Sequence, residues 1–260
     1  MEMHMNNERE RIKILDIYVD NLTMKETVSL VRDYIENNFF LHLMGVNADK
    51  ILACIDNEEM KNIVNSCGII NADGASVVMA SKFLSKKLPE RVAGIDLMQE
   101  LVKDAEINGH TVYFLGAKQE VVEKTVLEMK KKHPLLNVVG YRNGYFFEES
   151  WQEISLSLKQ LAPDYIFVGI TSPLKEYLIE YFYKSGNKGV FMGVGGSFDV
   201  ISGFIPRAPR WMQNSGLEWL FRIVQEPKRL FRRYFKGNTR FIWLVIKERL
   251  KKDIKNDSKR

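Results

Sequence analysis

The sequence predicts an α/β fold, a Rossmann-like and mostly parallel sheet with helices on both faces, followed by a C-terminal basic amphipathic helical appendage. Two observations predict the body. Apolar runs of strand length alternate with helix-period segments along the chain, and polar segments rich in Gly and Asp follow the runs, as they do at the ligand-binding rim of such sheets. A third predicts the appendage: residues 205–260 hold 16 Lys/Arg against 5 Asp/Glu, whereas residues 1–204 hold 22 against 28. The expected division is a body over 1–204 and a tail over 205–260.

Taken in order, strands are expected over 13–19, 40–46, 68–71, 111–115, 137–140, 165–169 and 189–193. Thr23 and Glu26 have the spacing of a capping box, in which each side chain satisfies a backbone N–H of the other's turn, and they open a helix running to about Glu36. Pro89, Pro134, Pro163 and Pro173 each fall where one element stops and another begins. At 260 residues with 45% hydrophobic and 27% charged side chains, the chain has enough apolar material for a large core.

Cys54 and Cys67 are the two cysteines, without Cys-x-x-Cys spacing, and are expected to be reduced core residues of a cytosolic protein. The N-terminal MEMHMNNERERIK is too polar for a secretory leader. The longest apolar run of the tail, Phe241 to Ile246, is far short of the ~20 residues a bilayer requires.

The rim segments are VNAD (46–49), NADG (71–74), FLGAK (114–118), VGITSPLKE (168–176) and GVGGSFD (193–199). Asp73 sets a carboxylate directly after a strand, with Gly74 permitting close backbone approach; it is either a general base or a turn residue that caps the next helix. Arg91, in LPERVAGIDL, is either a solvated cation or a phosphate clamp. GVGGSF is a glycine-rich turn that serves equally as a tight connection or as a contact for phosphate or ribose. His4, His42, His110 and His133 are scattered and no Asp-x-Asp is present, so no metal and no cofactor is expected. Nucleophile-elbow, Walker and complete G-x-G-x-x-G motifs are missing.

In the tail, Trp211, Met212, Leu217, Leu220, Phe221 and Val224 recur at helical spacing, as do Leu230, Tyr234, Phe241, Leu244 and Val245, with Arg and Lys between them. Part of that stripe must pack on the body. The cations still call for an anionic partner, and a helix of this kind can lie in the headgroup plane of an anionic leaflet.

NADGASVV, LPERVAGIDLM, FLGAK, GYFF and the long GVGGSFDVISGFIPRAPRWMQNSGLEWLFRIVQEPKRLFRRY together resemble the WecG/TagA/CpsF family of bacterial glycosyltransferases, over about residues 12 to 236. The resemblance implies an inverting, metal-independent enzyme. It would move a hexosamine such as N-acetylmannosamine from a UDP-sugar to undecaprenyl-diphosphate-linked N-acetylglucosamine, at the cytoplasmic face of the plasma membrane. It assigns Asp73 as general base and Arg91 as a pocket arginine holding phosphate or the reacting sugar, and it places Asn47 in the sugar pocket. Arg222, Arg229 and Arg232 would fold over the site and neutralise the leaving UDP, while Gly195, Gly196 and Asp199 would meet the nucleotide. Two positions depart from the family's pattern. Lys175 stands where a pocket glutamine is common, and Gly45 where a threonine is frequent, so a different donor, acidic or a hexose, in capsule or exopolysaccharide synthesis is the alternative within the family. Assembly as a homo-oligomer is left open. A reading from another class, a non-catalytic module gripping nucleic acid or an anionic membrane, is disfavoured for nucleic acid because the aromatic residues follow a helical stripe and form no stacking platform.

Overall fold

The computed structural model describes residues 9–225 and 227–257. The chain opens with a hairpin of β1 (Arg11–Ile14) and β2 (Ile17–Asp20), followed by α1 (Met24–Glu36) and β3 (Phe40–Val46). Next come α2 (Ala48–Asp56), α3 (Glu58–Ser66), β4 (Ile69–Ala72), α4 (Ala75–Phe83) and α5 (Gly94–Asn108). The second half continues with β5 (Thr111–Gly116), α6 (Gln119–Lys132), β6 (Asn137–Arg142), α7 (Trp151–Leu161), β7 (Tyr165–Gly169), α8 (Leu174–Lys184), β8 (Gly189–Gly193) and α9 (Ser197–Ile201). Three helices close the chain: α10 (Arg210–Asn214), α11 (Glu218–Gln225) and α12 (Pro227–Asp257).

Six strands form one parallel sheet in the order β4-β3-β8-β7-β5-β6. The central strands are buried on both faces, and their alternation sorts the core. Tyr165 and Phe167 of β7, with Val112 and Phe114 of β5, face α1, α5, α6 and Phe198. Ile166 and Val168, with Tyr113 and Leu115, face α7 and α8. On that second face, Met44, Val46, Ile70 and Ala72 of β3 and β4 pack with α2, α3, α4 and the hairpin. Adjacent strands β5 and β7 send their helices toward opposite edges of the sheet, which opens a crevice at their carboxyl ends.

The fold class matches the expectation. The box at the start of α1 is present, with Thr23 accepting from the Glu26 N–H and Glu26 accepting from the Thr23 N–H. One expected strand differs: 13–19 is a hairpin that reverses at Leu15 and Asp16, with φ of 48° and 68°. Two successive positive φ values suit a tight turn whose twist matches the strands, but Leu-Asp lacks the Asn-Gly signature that announces one.

The C-terminal half of α12 is built into the second face. Phe241 and Val245 are buried there, Arg240 makes a two-pronged contact with Asp56 at 2.6 Å on each nitrogen, and Glu248 accepts from Lys86 at 3.1 Å. The helix packs on both α2 and α4. Its other side exposes Ile242, Trp243 and Ile246. Among the described residues no helix is long and apolar enough to cross a membrane.

Candidate active site

Parallel order brings the ends of β4, β3, β8 and β7 side by side, and with them Asp73, Asn47, Gly195, Gly196 and Lys175. Asp73 follows β4. Its backbone N–H and that of Gly74 both donate to Val46 O, at 2.9 and 3.1 Å, which fastens the loop to the end of β3. The carboxylate accepts from the Gly94 N–H through Oδ1 at 2.8 Å. Oδ2 accepts nothing from the described residues and is the oxygen available to a ligand. Asp73 does not cap the next helix, α4, as a turn residue would; its Oδ1 braces the first turn of α5 instead, and Oδ2 is left open.

Two glycines make this packing possible. A Cβ on Gly45 would lie 3.2 Å from the Cβ of Asp73, and one on Gly74 would lie 2.8 Å from that of Asn47. Asn47 caps α2, accepting from the Lys50 N–H at 2.9 Å through its carbonyl oxygen. The cap leaves its amide N–H groups to donate elsewhere.

Arg91 is clamped between the Asp73 loop and the C-terminal segment. Its Nε donates to Asp73 O at 2.7 Å and its Nη2 to Glu218 Oε2 at 2.5 Å, while Nη1 makes only a long 3.5 Å contact with Gln213 O. Arg207 reaches the same Glu218 at 3.4 Å and Asp96 at 2.7 Å. Sequence reading missed Glu218, because a lone Glu at the start of an amphipathic helix looks like a solvated residue. Only the fold shows that it faces two arginines.

A second missed group lies beneath the rim. Lys50, Ser172 and Glu176 are joined, with Lys50 Nζ donating to Ser172 Oγ at 2.9 Å and making a close contact with Glu176 Oε1. Lys175 Nζ sits 3.5 Å from that same oxygen. Burial opposes the charged form of Glu176, yet Lys175 and Lys50 outweigh it and lower its pKa. Burial also lowers the Lys175 pKa, assisted by Lys50 and resisted by Glu176 and Asp73. The stem of Lys175 crosses the end of β8 at Gly193, where a Cβ would come within 2.8 Å of its Cε.

Gly195 (φ 51°) and Gly196 form the turn from β8 into α9, and Asp199 lies in the first turn of that helix. Burial raises the Asp199 pKa, with its own backbone N–H and Lys118 acting the other way. Toward the crevice, Gly116 (φ 133°) presses on Gly169, where a Cβ would stand 2.5 Å from backbone, and Gly144 packs on Gly116 in turn. These three glycines lie in FLGAK, at the start of GYFF and in VGITSPLKE, and they let the three segments approach closely.

Of the tail arginines, Arg222 is exposed in the last turn of α11, and no hydrogen bond or ion pair joins it to Asp73. The side chains of Arg229 and Arg232 lie outside the described residues. A cavity of about 270 Å³ occupies the opposite ends of the strands, between Asn38, Lys159, Asp164 and Lys188; it touches none of the residues above. Among the described residues no three His, Cys, Asp or Glu side chains gather as a metal site.

At its rim the parallel sheet carries an open carboxylate oxygen, a glycine turn and a buried lysine, the setting in which α/β enzymes bind their ligands. The chain is a member of the WecG/TagA/CpsF glycosyl transferase family, whose profile matches residues 12–255. It is similar to the N-acetylglucosaminyldiphosphoundecaprenol N-acetyl-beta-D-mannosaminyltransferase of Bacillus subtilis (strain 168), 33% identical over 205 residues, covering 76% of this chain and 78% of the relative.

Proposed function

We propose that this glycosyltransferase moves a hexosamine, N-acetylmannosamine or a close variant, from a UDP-sugar to undecaprenyl-diphosphate-linked N-acetylglucosamine in cell-wall polymer synthesis, with inversion and without a metal ion. The activity of the Bacillus subtilis relative, an N-acetylmannosaminyltransferase acting on N-acetylglucosaminyldiphosphoundecaprenol, supports the transferred sugar and the acceptor class. The observation that carries the mechanism is the unpaired Oδ2 of Asp73, held in place by the Oδ1 contact to Gly94.

In this reading Asp73 Oδ2 takes the proton of the acceptor hydroxyl as that oxygen bonds to the anomeric carbon. The bond from that carbon to the β-phosphate oxygen breaks, and its electron pair leaves with UDP. Asn47 donates to the sugar, and the turn at Gly195, Gly196 and Asp199 meets the nucleotide. Arg91 fixes the base loop through Asp73 O. Arg222, Arg229 and Arg232 supply fixed positive charge to the departing diphosphate. Residues 1–204 act as the catalytic body and 205–260 as the part that completes the site and docks on the anionic inner leaflet. Exposed Ile242, Trp243 and Ile246 on α12 support the docking.

The test is UDP release from UDP-N-acetylmannosamine with and without a lipid-diphosphate N-acetylglucosamine acceptor. Release only with acceptor, unchanged by chelator and giving an inverted product by NMR, is expected; release that needs added Mg²⁺ or retains configuration would overturn the mechanism.

A further inference from the structure

Lys175 presents a charge problem that the protein does not solve by itself. Lys50 and Lys175 both approach one oxygen of one carboxylate, Glu176 Oε1, while Glu176 Oε2 is buried without a partner. Lys50 is the better satisfied of the two, since it also donates to Ser172. One carboxylate shared between the buried Lys50 and the half-buried Lys175 cannot pair fully with both ammonium groups, and an incompletely compensated charge in such a setting is costly. The surplus is at Lys175, whose only ion-pair partner among the described residues is the shared oxygen at 3.5 Å.

The surplus charge lies at the rim of the sheet, against the glycine turn after β8. The Lys175 stem passes over Gly193, and its Nζ lies 3.9 Å from where a Cβ on Gly195 would stand. Asp73 is close enough to raise the Lys175 pKa, although no ion pair forms between them. The ammonium therefore lies beside the glycine turn after β8 and within electrostatic reach of Asp73 after β4.

We infer that Lys175 is a specificity-determining residue, whose ammonium binds an anionic group of the donor next to the anomeric carbon. Two sources share that chemistry: a carboxylate on the sugar and the β-phosphate. The bound anion supplies the counter-charge that Glu176 cannot give to two lysines. This inference deepens the proposed function and takes from it only that the donor is a nucleotide sugar.

A consequence is a pH signature. The groups around Lys175 are Glu176 on its own helix, Lys50 on α2, His42 on β3 and Asp73 after β4. Burial and Lys50 lower its pKa in the empty site, and an anion restores it. Donor affinity falls as pH rises through the lowered value, earlier than an ordinary lysine would dictate.

Calorimetric binding of UDP, UDP-N-acetylhexosamine and UDP-N-acetylhexosaminuronate to the full chain and to Lys175→Gln tests this without requiring turnover. Lys175→Gln is expected to weaken at least one ligand by about tenfold, the loss of a charge-assisted hydrogen bond, and to remove the alkaline fall in affinity. Loss confined to the uronate assigns the sugar carboxylate; equal loss for all three assigns the β-phosphate. If all three bind within twofold of the wild type, or if the alkaline fall persists in the variant, the inference is overturned. Thermal unfolding of the variant, expected unchanged or raised because a surplus buried charge is gone, separates lost binding from lost fold. Absence of UDP release with every donor, alongside the expected binding pattern, would sink the transfer reaction and leave Lys175 as an anion site.

Discussion

Arg91 joins Asp73 to Glu218: one nitrogen holds the backbone carbonyl of Asp73 at 2.7 Å and another holds the carboxylate at the start of α11 at 2.5 Å. The Asp73 loop and the C-terminal segment are therefore mechanically joined. Glu218→Gln should lower thermal stability by about 1 kcal/mol, a shift of roughly 2–4 °C for a chain of this size. It should reduce kcat more than KM, since it frees Arg91 without touching the donor. A scanning-calorimetry trace and a kinetic series check both, and unaltered values of each would show the clamp to be incidental.

Asp73→Asn keeps an oxygen for the Gly94 N–H but cannot accept a proton at the other position. The expected result is a loss of about 10²–10⁴ in kcat with little change in melting temperature. Circular dichroism alongside the UDP-release assay distinguishes this from misfolding.

Acid should weaken the fold in two stages. His42 is buried on β3, and burial, with Lys50 and Lys175, presses its pKa down to about 4. The unfolded imidazole takes up a proton near pH ~6.5. The unfolded state thus binds more protons between these values, and stability falls as pH drops from about 6.5 to about 4, by roughly 1 kcal/mol per pH unit. Glu176, whose folded pKa is lowered, contributes stability present above its unfolded value of ~4.3 and lost as pH falls through the folded one. His42→Leu should flatten the upper stage and leave the lower. Urea melts at half-unit pH intervals would reveal whether the stages separate.

Neighbouring residues of α12 should respond in opposite ways. Phe241 is 3% exposed whereas Trp243 is 58% exposed. Phe241→Ala should cost about 3–5 kcal/mol of stability through the cavity it leaves. Trp243→Ser with Ile246→Ser should leave stability nearly unchanged and weaken flotation with phosphatidylglycerol vesicles. Undiminished flotation of that double variant would remove this face of α12 from the docking surface.

A Cβ at Gly116 meets Gly169 backbone at 2.5 Å, and φ is 133° there. Gly116→Ala should therefore cost more than the ~1 kcal/mol of an ordinary glycine replacement. Gly109→Ala, with φ of 71° and nothing within 4 Å, serves as the control for strain without collision.

Much of the sheet was legible because its strands are short apolar runs bounded by Gly, Pro and Asp. The expected 40–46, 165–169 and 189–193 coincide with β3, β7 and β8. Asp73 and Asn47 were legible for a related reason: polar residues that end an apolar run sit at the rim wherever the sheet is parallel. Lys50, Glu176 and Glu218 were not. Each is a charged residue on an amphipathic helix, and on such a helix nothing local separates a solvated charge from a buried one. Lys50 and Glu176 meet only because β3 and β7 flank β8, a fact of strand order that no local pattern encodes. The hairpin at Leu15 and Asp16 was hidden by side chains that seldom accept positive φ.

The C-terminal helix braces two helices at once. α2 begins directly after Asn47 and α4 two residues after Asp73, and α12 lies against both, with Gly237 drawn in until a Cβ there would stand 3.2 Å from Asp49 Oδ1. A torque applied to the far end of that rod would reach the loops of Asn47 and Asp73 in step, through the two helices that follow them.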